Sequence, residues 1–317
     1  MNKLLPAILI ISCIGGCKLQ SGSDREFDKY DPSKTYKLQV NPVPGSAYHY
    51  DIASESKTGI ETEGKTVESI NRSNIGLNYS FSNDSLGNQL VNLKFDRIYL
   101  YQKNNQGTKE INADNGINSI DPAEKMMAVL KETSLQSSIS KTGDSKIVTE
   151  FKEISDKIMA AFPATDENTK RAIEEQWNKS IGKNLVKNNL DQFFKLFPDS
   201  AVRIGDTWKL ANKIEGEVSY TVKNIFKLKA INNDIAIIES NGTITGENFS
   251  GTTALGASPL SDLKGEQQGE YEMETKTGML INSRIKANIN GTLRAMGREM
   301  PITINTSVKI DGKKISN

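Results

Sequence analysis

Apolar residues recur at every second position in two long stretches of this chain. In the first, residues 46–52 (SAYHYDI), 74–81 (NIGLNYSF) and 89–101 (QLVNLKFDRIYLY) alternate in the manner of strands with one face buried and one wet. Asn83, Asp84 and Gly87 supply turn chemistry between the second and third of these. The second stretch opens at Gly205, and residues 216–230, 235–246, 269–296 and 301–310 alternate in the same way, broken by Gly or Asn turns. Each stretch contains a Thr-Gly hairpin, Thr142-Gly143 in one and Thr277-Gly278 in the other, which suggests duplication of a single β-meander.

Between the two stretches the period lengthens to that of a helix. Phe151, Ile154, Ile158 and Phe162 fall at three-to-four spacing ahead of Pro163. Thr165 is expected to cap a second helix, with Asp166 and Glu167 in its first turn and Ile173, Trp177 and Ile181 along one face. A third segment ends in Phe193, Phe194, Leu196 and Phe197 before Pro198, and a separate helix is predicted from Pro122 to about Glu132 with Met126, Met127 and Leu130 on its apolar side. Such stripes pack on sheets. The expected fold class is α+β: an antiparallel sheet, curved or duplicated, with a helical layer packed on one face. One globular unit, residues 44–317, then divides into a β-rich half at 44–150, a helical segment at 151–198 and a second β-rich half at 199–317.

The first residues follow a different logic. Lys3, the apolar run from Leu4 to Ile14 and the small residues Gly15 and Gly16 make an export signal over residues 1–16. The run is too short to span a bilayer, which takes about 20 apolar residues. Residues 17–43 are mostly polar and read as a tether. Ile14-Gly15-Gly16-Cys17 resembles the bacterial lipobox. That resemblance implies cleavage between Gly16 and Cys17, a diacylglycerol on the Cys17 sulfur and a further acyl chain on its amine, so the membrane is the first expected partner. Two buried chains already suffice for stable anchoring. Cys13 departs with the signal, so the mature chain holds no disulfide and its fold rests on its core alone. Lys18 stands where an aspartate would resemble an inner-membrane retention signal, which points to the outer membrane. Asp24, Arg25 and Glu26 come late and mixed in sign, so the periplasmic side is expected rather than the cell surface.

Charge narrows the partners. Loss of Lys3 leaves 39 basic against 39 acidic side chains, and no basic run exceeds two residues, which excludes nucleic acid as a partner. No cofactor, metal or catalytic site is expected. His49 is the only histidine, so multi-histidine zinc sites are excluded, and without a Gly-x-Ser-x-Gly elbow it reads as a solvent-facing or edge-strand side chain. Gly251 to Ser258 carries two glycines but not the Lys-Ser or Lys-Thr of a phosphate loop. Asn112 to Asp121 is rich in oxygen ligands yet lacks the glycine and terminal glutamate of a calcium loop, so turn chemistry explains it.

Gly205-Asp206-Thr207-Trp208 places a turn before a buried indole at the start of the second sheet stretch. With the later Tyr271, Thr277, Gly278 and Met279, it resembles a family of uncharacterised Bacteroidota envelope lipoproteins that share a Gly-Asp-Thr/Ser-Trp motif, over roughly residues 36–310. The resemblance implies an envelope lipoprotein of unknown activity and supplies no catalytic residue. Asp84-Ser85-Leu86 and Asp199-Ser200-Ala201 resemble the O-glycosylation acceptor of Bacteroidota envelopes, with Ser85 and Ser200 as the acceptors; otherwise both are turn residues.

The leading functional expectation is a non-enzymatic lipoprotein that binds an apolar or amphipathic, lipid-like ligand between sheet and helices, resembling the half-barrel lipoprotein carriers. The second is a scaffold for an envelope protein complex that uses a sheet edge or the 246–270 loop, and the third a glycan or peptide hydrolase built on paired carboxylates. A carrier needs a cavity, a scaffold a filled core with an exposed apolar patch, and a hydrolase converging carboxylates.

Overall fold

Long alternating runs joined by two-residue turns build hairpins, and hairpins dominate this molecule. The computed structural model describes residues 31, 33–163, 166–180, 183–214, 219–246, 258–295 and 298–316. Strands β1 (Ala47–Thr62) and β2 (Lys65–Asn83) meet at Glu63 and Gly64, both in the left-handed region with φ of 50° and 73°. Two successive left-handed residues match the right-handed twist of the flanking strands. The same device, at Asn233 and Asp234, joins β8 (Tyr220–Asn232) to β9 (Ile235–Gly246). Between β2 and β3 (Gln89–Asn104), Asp84 Oδ1 accepts from the backbone N–H of Leu86 and of Asn88 at 2.8 Å each.

After β3 come β4 (Gly107–Asn112), α1 (Pro122–Lys131), β5 (Ser134–Ile139) and β6 (Ser145–Ile147), then the helices α2 (Phe151–Ala160), α3 (Glu167–Ser180) and α4 (Lys183–Phe194). The second half holds β7 (Thr207–Ile214), β8, β9, β10 (Ser258–Glu274), β11 (Leu280–Ala295) and β12 (Arg298–Ser316). All twelve described strands belong to one antiparallel sheet in the order β6-β5-β3-β2-β1-β12-β11-β10-β9-β8-β7, with β4 beside β3. The first and last strands pair at its centre, in continuous register from Tyr48 opposite Lys314 to Ile60 opposite Ile302.

This overturns the expected α+β class with a helical layer. The two β-rich stretches are wings of a single open sheet, and the helices cover one end of it. Phe193 and Phe194 of α4 lie against Tyr50, Tyr79 and Phe81 at ring-centroid distances of 4.8 to 6.2 Å. Beyond the reach of the helices, β8 to β12 hold a second buried cluster, Tyr220, Val222, Ile244, Leu263, Ala287, Ile289, Leu293, Ile302 and Ile304, contributed entirely by strands. The two Thr-Gly hairpins are unequal: Gly143 turns the 6-residue β5 into the 3-residue β6, whereas Gly278 turns strands of 17 and 16 residues. Strand β10 starts at Ser258, inside the segment expected to be a loop, while the rest of 251–258 lies outside the described residues.

The starts of α1 and α3 follow the capping rules, with one change of residue, while α2 begins after Glu150 without a side-chain cap. Asp121 caps α1, accepting from Ala123 N–H at 2.7 Å with Pro122 behind it. Asp166, not Thr165, caps α3, since its Oδ1 accepts from the N–H of Asn168 and Thr169 at 3.0 and 3.1 Å. A carboxylate is the stronger partner for those N–H groups and also meets the helix dipole. Thr165 and Ile181 lie outside the described residues.

Tyr36 to Asn41, assigned above to the tether, is folded. Tyr36 pairs with Val202, Val40 N–H donates to Lys141 O at 2.9 Å, and Asn41 N–H donates to Thr277 O at 2.8 Å. Leu38 and Val40 of this strap are buried. The strap therefore binds the β5–β6 turn to the β10–β11 turn. At those turns glycine is required for space as well as for φ: a Cβ on Gly143 (φ 91°) would overlap the Phe194 carbonyl, and one on Gly278 (φ 70°) would overlap the Gln39 carbonyl. Gly87, φ 83°, faces open space. Gly143→Ala is expected to cost more than about 3 kcal/mol, strain and overlap together, and Gly87→Ala about 1 kcal/mol, strain alone. Urea denaturation of the two variants checks the difference, and equal losses would remove the packing role given to Gly143.

Candidate functional site

A surface groove runs across β7, β8, β9 and β10. The Gly205-Asp206-Thr207-Trp208 segment sets its first wall. Gly205 N–H donates to Leu228 O at 2.7 Å and Leu228 N–H to Asp206 O at 3.1 Å, which docks the start of β7 on β8. Asp206 Oδ2 accepts from Arg203 N–H at 2.8 Å. Trp208 is 9% exposed, stacks on Phe226 at 5.7 Å and donates from Nε1 to Leu196 O at 3.0 Å. Trp208 thereby fixes which residues of β7 face outward: Thr207, Lys209, Ala211 and Lys213.

The groove has a volume of about 630 Å³ and is lined by Lys209, Leu210, Ala211, Lys223, Asn224, Ile225, Asn241, Gly242, Thr243, Glu266, Gln267 and Gln268. Pairing arranges the outward side chains in two rows, Ala211-Lys223-Thr243-Glu266 and Lys209-Ile225-Asn241-Gln268. Ile225, at 47% exposure, is a large apolar side chain on the wet face. Gly242 lies beneath it in the adjacent strand, with no room for a Cβ beside Asn224 Oδ1. Further along the same strands, charges are paired, Lys229 with Glu239 and Lys276 with Asp234, both at 2.5 Å. Lys209, Lys223 and Glu266 reach no ion-pair partner among the described residues.

A void of about 40 Å³ lies between the two apolar clusters, among Leu196, Asn212, Asn224, Phe226, Gln267 and Tyr271. That is space on the scale of one water. Where α4 meets the sheet, within the expected place for a ligand, the rings of Tyr50, Tyr79, Phe193 and Phe194 pack on one another.

His49 lies in the middle of the sheet, not on an edge strand, because β1 is flanked by β2 and β12. Its ring is on the outward face with a 13% exposed side chain, Nε2 3.3 Å from Asp51 Oδ2 and Nδ1 3.2 Å from Asp96 Oδ2. Nδ1 also lies 2.9 Å from Asn78 Oδ1. A β-bulge makes this contact: pairing shifts register between Gly76 and Leu77, leaving Asp96 as the extra residue, and Asp96 occupies the space a Cβ on Gly76 would need. Arg97 pairs with Asp51. Burial raises the Asp51 pKa, but the hydrogen bond from Arg97 and the charge of His49 outweigh it and hold the carboxyl below its ordinary value. This is a knot of ion pairs with both imidazole nitrogens engaged, and among the described residues no serine or threonine hydroxyl is bonded to the ring.

The remaining sequence-predicted positions lie apart. Ser85 and Ser200 are exposed in separate turns, and Gly16 and Cys17 lie outside the described residues. The oxygen-rich 112–121 segment is organised by Glu124, which accepts from Asn112 N–H, Asn115 Nδ2 and Ser119 Oγ. No cluster of three or more potential metal ligands occurs among the described residues, and none of their helices is long and apolar enough to cross a membrane. Sequence reading missed the groove residues Lys209, Lys223, Ile225 and Glu266. A signal was present in Asn224-Ile225-Phe226, where a polar residue takes an inward position and an apolar one the outward position between two inward neighbours.

With this geometry in view, the chain belongs to the family of unknown function DUF6263, whose model matches residues 87–280. No curated protein matches it. Among solved structures it is similar to one describing lipid–protein interactions in lipovitellin, with a TM-score of 0.51 and 10% identity over 86% of this chain and 26% of that one. The chain thus spans about a quarter of lipovitellin, and the likeness is one of fold. An outer membrane channel from Pseudomonas putida F1 aligns over 90% of this chain and 100% of its own at 9% identity, with a TM-score of 0.24.

Two outcomes test the local geometry. Trp208→Ala is expected to cost about 3–5 kcal/mol through the lost ring packing, and Trp208→Phe about 1 kcal/mol beyond its packing change, for the hydrogen bond to Leu196; a near-zero loss in urea denaturation would place the indole outside the core. Because the folded pKa of Asp51 lies below its unfolded value, its contribution is complete above the ordinary carboxylate range and is lost as pH falls through the folded pKa. The melting temperature of Asp51→Asn should therefore fall less on acidification below that range than the parent's, and parallel curves would count against the Arg97–Asp51–His49 knot.

Proposed function

We propose that the protein is a non-enzymatic, lipid-anchored component of the bacterial outer membrane, facing the periplasm, that holds an amphipathic ligand in the groove across β7 to β10. The observation that carries this reading is the groove itself: about 630 Å³, apolar side chains at Ala211 and Ile225, and polar or charged side chains around them. Small-molecule sites commonly fall between 300 and 1,000 Å³ and combine these features, as an approximate guide. A lipid-like occupant is in keeping with the lipovitellin structure, which this sheet resembles in fold. The anchor is the Cys17 thioether implied by Ile14-Gly15-Gly16-Cys17. Strand addition by a protein partner is the less favoured reading. The β7 edge carries Lys209 and Lys213, and charged side chains on an edge discourage another strand from pairing there.

Cys17→Ser is expected to move the protein from the membrane to the soluble fraction, and a variant that stays with the membrane would overturn the anchor. From that soluble form, mass spectrometry of an organic extract should recover an amphiphile in stoichiometric amount. Ile225→Asp, at an exposed position, should fold with unchanged melting temperature and yield an empty extract. An empty extract from the parent, or equal recovery from both, would remove the groove as the site.

A further inference from the structure

The groove is asymmetric in charge, and the asymmetry selects a ligand. Lys209 pairs in register with Ile225, and Lys223 lies two residues before Ile225 on β8, so the two lysines are diagonal neighbours on one face. Such positions are roughly 7–8 Å apart at their roots, within reach of a common small anion for two flexible side chains. Both lack an ion-pair partner among the described residues, unlike Lys229 on β8 and Lys276 in the β10–β11 turn. Like charges held this close without a counterion repel, and a bound anion removes the repulsion. Glu266 stands in the same row as Lys223, with Thr243 between them. Two inter-strand spacings separate it from Lys223 by about 10 Å. Ile225 and Ala211 lie beside the lysines, so the apolar side chains sit where the positive charge is concentrated.

We infer that the groove binds a single-chain amphiphile with an anionic head, the head held by Lys209 and Lys223 and the chain laid over Ala211 and Ile225 toward Asn241 and Gln268. Glu266 sets the direction by repelling the head from the β10 side. The inference rests on the groove being the ligand site, and the experiment separates the two.

Binding of dodecyl phosphate, dodecyltrimethylammonium and dodecyl maltoside, each below its micelle concentration, is measured by calorimetry on the full-length Cys17→Ser protein in detergent-free buffer. Dodecyl phosphate is expected to bind at least about ten-fold more tightly than the maltoside, an advantage lost near 1 M salt, where the screening length is about 3 Å. Lys209→Gln combined with Lys223→Gln should abolish that advantage while leaving maltoside binding and the melting temperature unchanged. Equal affinities for the three probes, or tighter binding of the cation, would overturn the anionic head and leave amphiphile binding intact. No binding of any probe would overturn both.

Discussion

The pairing of β1 with β12 is the constraint on which the rest of the structure depends. It joins the two halves of the chain through the middle of one sheet, in continuous register over most of both strands. Without it there would be two narrower sheets, each with an additional open edge and a share of core facing water. With it, the apolar face of one wing continues into that of the other, from Ile52 and Tyr50 on β1 to Val308 and Ile310 on β12. The Thr306 hydroxyl donates to Ser56 Oγ at 3.0 Å across this seam, a buried side-chain bond between residues 250 positions apart.

That bond belongs to a polar band crossing the inward face of the sheet between its two apolar clusters. Gln267 donates to Asn224 at 3.3 Å, and the Ser54 and Ser73 hydroxyls lie 2.6 Å apart. Gly242 and Ala287 complete the row in register, from Asn224 through Gln267 to Thr306. Burying polar groups is tolerable when they bond to one another. The band explains why the two clusters are distinct although they share a face. It also supplies the back of the outward groove, since Asn224 and Gln267 reach it from behind Ile225.

The band is also where the sequence became hard to read. Strands were legible wherever the inward positions were apolar, as in 74–81, 89–101 and 301–310. Residues 53–73 form the far halves of β1 and β2, but Ser54, Ser56 and Ser73 point inward there, so the contrast between faces disappears. The helices were legible from their stripes; their subordinate place was not, because nothing local to α2–α4 says how many strands they must cover. The α3 cap moved from Thr165 to Asp166, a one-residue choice that depends on the backbone angle of the approaching chain. His49 could be seen to lack a nucleophile, but its two carboxylates come from different strands, and Asp96 reaches it through a bulge that alternation does not announce. The groove depends on the pairing of four strands, and only the inversion at Asn224-Ile225 hinted at it.

A sheet whose central seam unites its first and last strands has a consequence for how the chain is made. Strand β1 can form its hairpin with β2 early, since only Glu63 and Gly64 separate them. Its other side must wait for β12, which comes after every other described strand in chain order. Non-local pairing of this kind slows folding, because loop closure precedes any reward from the contact. Through that interval β1 presents a 16-residue row of unsatisfied backbone groups, a template for any extended neighbour. The hazard ends only when β12 arrives, so a chain in which β12 is missing or undocked is aggregation-prone along a strand that is paired on both sides in the finished protein.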